Sequence, residues 1–270
     1  MKITYLGTAA AEGFPAVFCN CKHCIDARKL GGKNIRTRSQ AIINEDLLLD
    51  LPADTYSHFL NNGIQGDLIE NLLVTHSHSD HFYMKELSMR SGAFAKNMRV
   101  PTLNVYCGQG VYNKFSKETP VNIAVNKIET FIPVNIGNYR VTSFPANHFY
   151  GDDARFYLIE GNKTVLYAHD TGFFYDEVFD YFQKNKVKLD LISMDCTNID
   201  IPIEDIHPHM GIANINRLVE KLTAMNVIDE KTIKVINHFS HNARPIHHEL
   251  EERVKDYGYI VSYDGLTVEI

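Results

Sequence analysis

One short run of residues constrains this chain more than any other feature. The run is His76-Ser77-His78-Ser79-Asp80-His81, and it follows the apolar segment 71–75, which has the composition of a β-strand. Three imidazoles and one carboxylate within six residues form a donor set that suits Zn²⁺, Mn²⁺ or iron. Residues two apart in an extended segment point the same way, so His76 and His78 can reach one cation. Asp80 and His81 would then face a second, neighbouring position.

Further candidate ligands follow other predicted strands. His148 comes after segment 139–144, Asp170 after 164–168 and His238 after 233–237. Ligand sites in α/β sheets gather at the carboxyl ends of strands, so we expect these side chains to converge on the first run. His169 competes with its neighbour, but adjacent strand residues point apart, and a carboxylate can bridge two metals. We therefore prefer Asp170 as the ligand.

The overall pattern predicts strands that alternate with helices. The predicted strands are 2–6, 40–43, 47–51, 71–75, 103–107, 139–144, 155–160, 164–168, 189–194, 233–237, 259–262 and 266–270. The predicted helices are 54–61, 82–91, 109–117, 175–185, 210–225 and 246–257. Many strands with helices between them predict an α/β fold in which two packed sheets are covered by helices.

Composition limits the class of protein. With 44% hydrophobic and 22% charged residues, the chain is typical of a globular protein, and no linker or repeat divides residues 1–270 into more than one domain. The net charge of −6 argues against a nucleic-acid-binding surface. A small anionic substrate is still compatible, because bound metal would reverse the local field. No run of about 18 apolar residues predicts a membrane span.

Three of the five cysteines form the motif Cys19-x-Cys21-x-x-Cys24. An odd number of cysteines does not suit a disulfide framework, so we predict reduced thiols and a cytoplasmic location. Three thiolates can bind Zn²⁺ tetrahedrally with a fourth ligand, either the nearby His23 or the distant His241. The two remaining cysteines are predicted to be core residues; they are Cys107 and Cys196.

The run at residues 76–81 matches H-x-H-x-D-H, the signature of the metallo-β-lactamase superfamily, at all four positions. By this resemblance we expect a four-layer αββα sandwich and a hydrolase that uses two divalent ions, Zn or Mn or in some cases Fe. The resemblance also implies a division of the ligands. The first ion would be held by His76, His78 and His148, and the second by Asp80, His81 and His238, with Asp170 bridging both.

The cysteine motif resembles an insertion in one branch of that superfamily, the phosphodiesterases of the bacterial phosphonate (carbon–phosphorus lyase) pathway. That resemblance implies a zinc-binding insertion at about residues 16–36. It also implies that His241, three residues after His238, completes a structural zinc site with the three cysteines. A homodimer is suggested by the same resemblance.

The expected reaction is hydrolysis of a small or cyclic phosphodiester, of the phosphoribosyl cyclic phosphate type, by metal-activated water. Asp80 and His209 are the predicted catalytic residues, with His209 as the acid or base and His207 as its alternative. Asp195 is a candidate for orienting a ligand histidine.

Five alternatives remain at this point. Within the superfamily they are a tRNA 3′-processing nuclease, a lactonase or a thioesterase. The nuclease normally carries a Gly/Pro-rich arm, which is not seen here. Outside hydrolysis they are a di-iron oxidoreductase and a metal-binding protein without catalysis. Surface roles are predicted for four further residues, namely His58, Arg155, Arg217 and Arg244.

Overall fold

The computed structural model describes residues 1–115, 119, 121–149, 151 and 153–270. Two seven-stranded sheets form the centre of this part of the chain. The strands are β1 Lys2–Gly7, β2 Gln40–Ile43, β3 Leu47–Leu49, β4 Asn71–Leu73, β5 Leu103–Cys107, β6 Ile123–Lys127, β7 Val134–Ile136, β8 Tyr139–Pro145, β9 Arg155–Glu160, β10 Thr164–Ala168, β11 Leu191–Asp195, β12 Ile233–Asn237, β13 Ile260–Val261 and β14 Leu266–Glu269.

Helices connect the strands. The α-helices are α1 Lys22–Leu30, α2 Thr55–Asn62, α3 Gln109–Tyr112, α4 Asp176–Lys184, α5 Ile212–Ala224 and α6 His247–Val254. Short 3-10 helices span Gly32–Asn34, Gly66–Leu68, Met84–Arg90, Asn113–Phe115, His241–Ala243 and Lys255–Tyr257.

The two sheets have the same internal arrangement. The first has the order β14-β1-β2-β3-β4-β5-β6, and the second has the order β13-β12-β11-β10-β9-β8-β7. In the first sheet, β14 to β3 pair antiparallel and β3 to β6 pair parallel. In the second, β7 to β10 pair antiparallel and β10 to β13 pair parallel. Each sheet therefore has a block of parallel strands that end at a common edge.

Alternation along the strands places one apolar layer between the sheets. On β1, Ile3 and Tyr5 pack against residues of the second sheet such as Tyr157 and Val235, while Leu6 belongs to the outer layer of the first sheet. Successive strand residues point to opposite faces, so both faces of each sheet must be covered.

Helices cover the two outer faces. Phe182 of α4 and Leu218 of α5 pack on the outer face of the second sheet. Leu87 and Val111 lie in the corresponding layer on the first sheet. The four-layer αββα sandwich expected from the sequence is thus confirmed.

Most predicted elements are present, and the differences have local causes. The helix predicted at 82–91 is a 3-10 helix, Met84–Arg90, and the one predicted at 109–117 ends as an α-helix at Tyr112, although residues 116–117 lie outside the described ranges. Helix α1 was not predicted, because its sequence is polar and only Cys24 and Ala27 are buried. Strands β6 and β7 were also not predicted, because their residues do not alternate regularly between buried and exposed positions.

Two predicted surface residues are buried. His58 is 2% exposed; its Nδ1 lies 2.6 Å from Gln40 Oε1 and its Nε2 lies 2.6 Å from Thr37 Oγ1. Arg155 is 5% exposed and donates to the Ile128 carbonyl at 2.7 Å. The prediction of a surface position was wrong for both, because residue type alone does not show that hydrogen bonds to residues elsewhere in the sequence will compensate for burial.

Within the described residues, no helix is both long and apolar enough to cross a membrane.

Replacing Phe182 by alanine should destabilise the fold by roughly 3–5 kcal/mol, because the ring is fully buried between α4 and the second sheet. The measurement is urea unfolding at fixed metal concentration. Phe94→Ala, which truncates a largely exposed ring, is the matched control and should change the free energy of unfolding by less than about 0.5 kcal/mol. Equal effects in the two variants would contradict the assigned helix–sheet packing.

Candidate metal centre

The first group of candidate ligands comes from two loops. His76 and His78 follow β4 across the extended residues 74–75, and His148 follows β8. One ring nitrogen from each lies within 4.8 Å of the others. His76 Nε2 is 3.0 Å from His78 Nδ1, and His148 Nε2 is 3.4 Å from the same atom. Three imidazole nitrogens therefore face one small volume.

The second group lies beside the first and is more deeply buried. Its members are Asp80, His81, Asp170 and His238, and one ligand atom from each lies within 4.8 Å of the others. Asp170 follows β10 and His238 follows β12. Asp80 and Asp170, which are 90 positions apart, and Asp170 and His238, which are 68 positions apart, therefore meet where these strands end.

Asp170 contacts both groups. Its Oδ2 is 3.2 Å from His76 Nε2 and 2.7 Å from His81 Nε2, and its Oδ1 is 3.2 Å from His238 Nε2. Burial opposes ionisation, but the neighbouring His238, His81 and His76 outweigh it and hold the pKa of Asp170 well below its usual range. This carboxylate has the position expected of a bridge.

The buried donor atoms of the second group fit metal cations. His81 Nε2, His238 Nε2 and Asp170 Oδ1 are buried and make no hydrogen bond of acceptable geometry within the described part of the chain. Buried polar atoms normally have hydrogen-bond partners, so three such atoms at one point need an explanation. Imidazole nitrogens and carboxylate oxygens are ligands that zinc, manganese and iron accept. Divalent cations would satisfy them.

Asp50 supports this centre and was not singled out from the sequence. Its Oδ2 lies 2.7 Å from His81 Nδ1, and its Oδ1 accepts from the Thr75 backbone N–H at 2.8 Å. A carboxylate on the second nitrogen of a ligand histidine fixes its tautomer and orientation. Asp50 directly follows β3, like the other site residues that follow strands, but the strand predicted at 47–51 included it and so concealed this signal.

Left-handed backbone recurs at these strand ends. Asp50 has φ 65°, Asp170 has φ 50° and His238 has φ 65°. Non-glycine residues rarely adopt this region, which costs of order 1–3 kcal/mol each and persists only where surrounding contacts enforce it. The strand ends therefore turn their side chains into the centre at an energetic cost that the neighbouring structure offsets.

His209 approaches the centre from the loop before α5. Its Nδ1 lies 3.0 Å from Asp195 Oδ2 and 3.4 Å from Asp170 Oδ1. Burial favours the neutral ring, but Asp195 and Asp170 more than offset it and raise the pKa of His209 to about 9. Asp195, His209, Asp170 and His238 also satisfy the spacing of a metal-binding group, so His209 lies within reach of the second group.

Asp195 also organises the loop that carries His209. Its Oδ1 accepts from the backbone N–H of Thr197 at 3.0 Å and of Met210 at 3.1 Å. Thr197 Oγ1 in turn donates to the His238 carbonyl at 2.8 Å. From the sequence, Asp195 was a candidate for orienting a ligand histidine. In the structure it also contacts His209 directly.

His207, the alternative to His209, faces its own loop. Its Nδ1 accepts from the His209 backbone N–H at 3.2 Å. Of the two histidines His207 and His209, only His209 lines the pocket beside the metal groups.

That pocket has a volume of about 230 Å³. Its walls come from the N-terminal loop at residues 10–12, the two metal groups, and the loop after β12. Phe149, 59% exposed, stands at the pocket beside the His148 and His78 rings. Larger depressions elsewhere on the described surface contain no cluster of metal-ligand side chains.

The cysteine motif forms a second, separate cluster. Cys19, Cys21, Cys24 and His241 offer ligand atoms within 4.8 Å of one another. His241 Nδ1 lies 3.6 Å from Cys24 Sγ and 3.9 Å from Cys21 Sγ, spacings that suit tetrahedral zinc. The Cys24 backbone N–H and His241 lower the pKa of Cys21 to about 6, which favours the thiolate. His23, the alternative fourth ligand, turns its Nδ1 toward the His241 carbonyl.

Glu12 connects the two clusters. Its Oε1 accepts from Ser240 Oγ at 2.6 Å and from the His241 backbone N–H at 3.1 Å. Glu12 and Ser240 both line the pocket. The cysteine cluster therefore anchors one wall of the pocket.

The remaining candidates lie outside the centre. Arg217 pairs with Asp205, and Arg244 pairs with Glu249, so both have the surface roles that were predicted for them. Cys107 and Cys196 are buried, as expected of core residues.

Comparison with solved structures places the fold among known proteins. A diphosphatase from the PhnP family is similar with a TM-score of 0.77 and 18% identity, over 100% of this chain and 97% of that one. Zn²⁺-bound PqqB from Methylobacterium extorquens is similar with a TM-score of 0.77 and 17% identity, over 100% of both chains. The short form of human tRNase Z is similar with a TM-score of 0.62 and 14% identity, over 100% of this chain and 99% of that one.

Sequence comparison settles the family. A search of curated proteins found no match. The family model for the beta-lactamase superfamily domain, however, matches residues 58–239, more than half of the chain. That range includes both histidine groups of the centre. The chain therefore belongs to the metallo-β-lactamase superfamily and is, at that level of description, a hydrolase of the metallo-β-lactamase fold.

Proposed function

We propose that this protein is a metal-dependent phosphodiesterase that cleaves small or cyclic phosphodiesters, of which a phosphoribosyl cyclic phosphate is an example. One observation carries the proposal. Two metal-ligand groups, one containing Asp170 and the other in contact with it through His76, open onto the same small pocket as His209, whose ring is paired with Asp195. This arrangement combines electrostatic stabilisation of an anionic substrate with a proton donor.

The metal ligands follow from the geometry described above. The first cation would be held by His76, His78 and His148, the second by Asp80, His81 and His238, and Asp170 would contact both. Zinc or manganese suits this donor set, and iron is also compatible with it. Two such cations, when bound, lower the pKa of a shared water molecule and offset charge on phosphoryl oxygens.

The charge of the pocket makes anion binding depend on the cations. Asp80, Asp170 and Asp195 are buried carboxylates in or beside the pocket, and Glu12 adds a fourth. A phosphodiester would be repelled by these groups in the absence of cations. Metal ions reverse the sign of the local field, which is how an acidic protein can bind an anionic substrate.

His209 is the group best placed to donate a proton to the leaving oxygen. Asp195 occupies its Nδ1, so Nε2 remains for the substrate. Asp195 and Asp170 favour the protonated ring, which is the form that a general acid needs. His209 would therefore protonate the departing alkoxide, while the ligand residues would hold the cations that offset the charge of the phosphoryl group.

The size of the pocket and the charge of the chain favour small substrates. A volume of about 230 Å³ accommodates a phosphodiester with a compact substituent. A net charge of −6 is unlike the basic surfaces that bind polynucleotides. The similarity to a diphosphatase from the PhnP family also supports phosphoryl chemistry.

Reduced cysteines support a cytoplasmic location.

Asp80→Asn should abolish hydrolysis of bis-p-nitrophenyl phosphate measured with added Mn²⁺ or Zn²⁺, because the amide removes a charged ligand of the second cation. Asp176→Asn, which changes an exposed carboxylate, is the matched control and should retain wild-type kcat/KM. Failure of the wild-type protein to hydrolyse this ester with any of Mn²⁺, Zn²⁺ or Fe²⁺ would contradict the proposed function. Assays with a thioester, a lactone and a tRNA precursor would then identify the class.

His209→Gln should lower kcat by roughly 10²–10⁴-fold while the metal content stays at the wild-type value of three ions per chain, because a general acid contributes about that much. The measurement pairs steady-state kinetics with metal content determined by mass spectrometry. His207→Gln is the control and should leave kcat close to that of the wild type. Loss of a metal ion from His209→Gln would instead make His209 a ligand.

Cys21→Ala should reduce the metal content from three ions per chain to two, because it removes one of four ligands of the cysteine cluster. The buried Cys107→Ala serves as the control and should retain three ions. If both variants bound the same number of ions, the cysteine cluster would not be a zinc site.

A further inference from the structure

A buried polar chain lies directly behind the candidate metal centre. Its five members all have 0% exposure, and they are Tyr5, His169, Ser193, Asn237 and Ser262. The chain crosses neighbouring strands of the second sheet and reaches β1 of the first. None of its members lines the pocket, and none has been assigned a part in metal binding or catalysis.

His169 is the central member of this chain. Its Nε2 lies 2.7 Å from Ser193 Oγ, and Asn237 Nδ2 lies 3.2 Å from its Nδ1. An amide nitrogen can only donate, so Nδ1 accepts, and the neutral ring keeps its proton on Nε2, facing Ser193. Both ring nitrogens are therefore used.

The two ends of the chain are also tied. Tyr5 donates its hydroxyl proton to Ser193 Oγ at 2.9 Å, which connects the first sheet to the second. Ser262 Oγ donates to Asn237 Oδ1 at 2.5 Å, which orients the amide so that its nitrogen faces His169. These hydrogen bonds thus fix the orientation of each side chain in the buried polar chain.

The positions of His169 and Asn237 in the amino-acid sequence connect the buried polar chain to the candidate metal ligands. His169 immediately precedes Asp170, and Asn237 immediately precedes His238. Asp170 and His238 are the two candidate ligands with left-handed backbone, at φ 50° and φ 65°. Such conformations persist only where surrounding structure enforces them. The hydrogen bond between His169 and Asn237 joins the residues that lead into both.

We propose that His169 is a positioning residue, which acts through Asn237 and Ser193 to hold the backbone of Asp170 and His238 in the orientation that brings both side chains to one metal ion. The inference rests on the proposed metal centre, and it adds a determinant of metal affinity that makes no contact with metal or substrate. Partners of this indirect kind typically change metal affinity by roughly 10–100-fold.

The test measures metal affinity rather than turnover. His169→Leu removes both ring hydrogen bonds, and His169→Asn keeps an amide where Nδ1 faces Asn237. Val165→Ala is the matched control, a buried truncation on the same strand, β10, away from the strand end. Each protein is titrated with Zn²⁺ against a chelator of known affinity, and the visible spectrum of its Co²⁺ form is recorded along with its free energy of unfolding.

We expect His169→Leu to bind Zn²⁺ roughly 10–100-fold more weakly and to give an altered Co²⁺ spectrum, and His169→Asn to recover most of both. Val165→Ala should lose stability with unchanged affinity and spectrum. If His169→Leu lost stability but kept wild-type affinity and spectrum, the role of His169 would be only structural and the proposal would be wrong.

A milder variant guards against a failure of His169→Leu to fold. Ser193→Ala removes a single oxygen and the second partner of the ring, so it should weaken Zn²⁺ binding in the same direction by a smaller factor. Unchanged affinity in Ser193→Ala would also overturn the proposal. Because none of these measurements needs a substrate, they remain decisive even if the protein does not hydrolyse phosphodiesters.

Discussion

The structure depends above all on the buried carboxylate of Asp170. It lies within 3.2 Å of three imidazoles from two separate loops, those of His76 and His81 after β4 and that of His238 after β12. Bringing a charged group and several polar rings out of water is costly unless their charges and lone pairs are satisfied together. Divalent cations bound at this point would provide that compensation, and the stability of the region and its proposed chemistry would then have the same physical origin.

The two-sheet architecture brings these side chains together. Parallel strands in each sheet end at one edge, and the residues after them are the site residues, including Asp50, which the sequence analysis did not identify. Left-handed backbone at Asp50, Asp170 and His238 turns the chain into the centre at that edge. The apolar layer between the sheets and the buried polar chain behind the site hold these strand ends in place.

The cysteine cluster and the candidate metal centre form one continuous structure. His241 belongs to the cluster, and His238 lies three residues before it in the centre. Glu12 accepts hydrogen bonds from Ser240 and from the His241 backbone, and it lines the pocket as well. A cation bound to the cysteines would therefore order the N-terminal loop as a wall of the substrate pocket, in addition to stabilising helix α1.

The sequence by itself determined the local facts. Strand alternation and residue type were enough to predict two packed sheets covered by helices and a set of candidate ligands at strand ends, because these depend on short periods along the chain. The four-layer sandwich and the division of the ligands between two ions came from the resemblance of the run at 76–81 to a known family signature. Only the tertiary structure decided which distant groups meet. Burial of His58 and Arg155, the support of His81 by Asp50, and the position of His209 rather than His207 at the pocket all depend on contacts between residues that are separated in sequence, which no local pattern encodes.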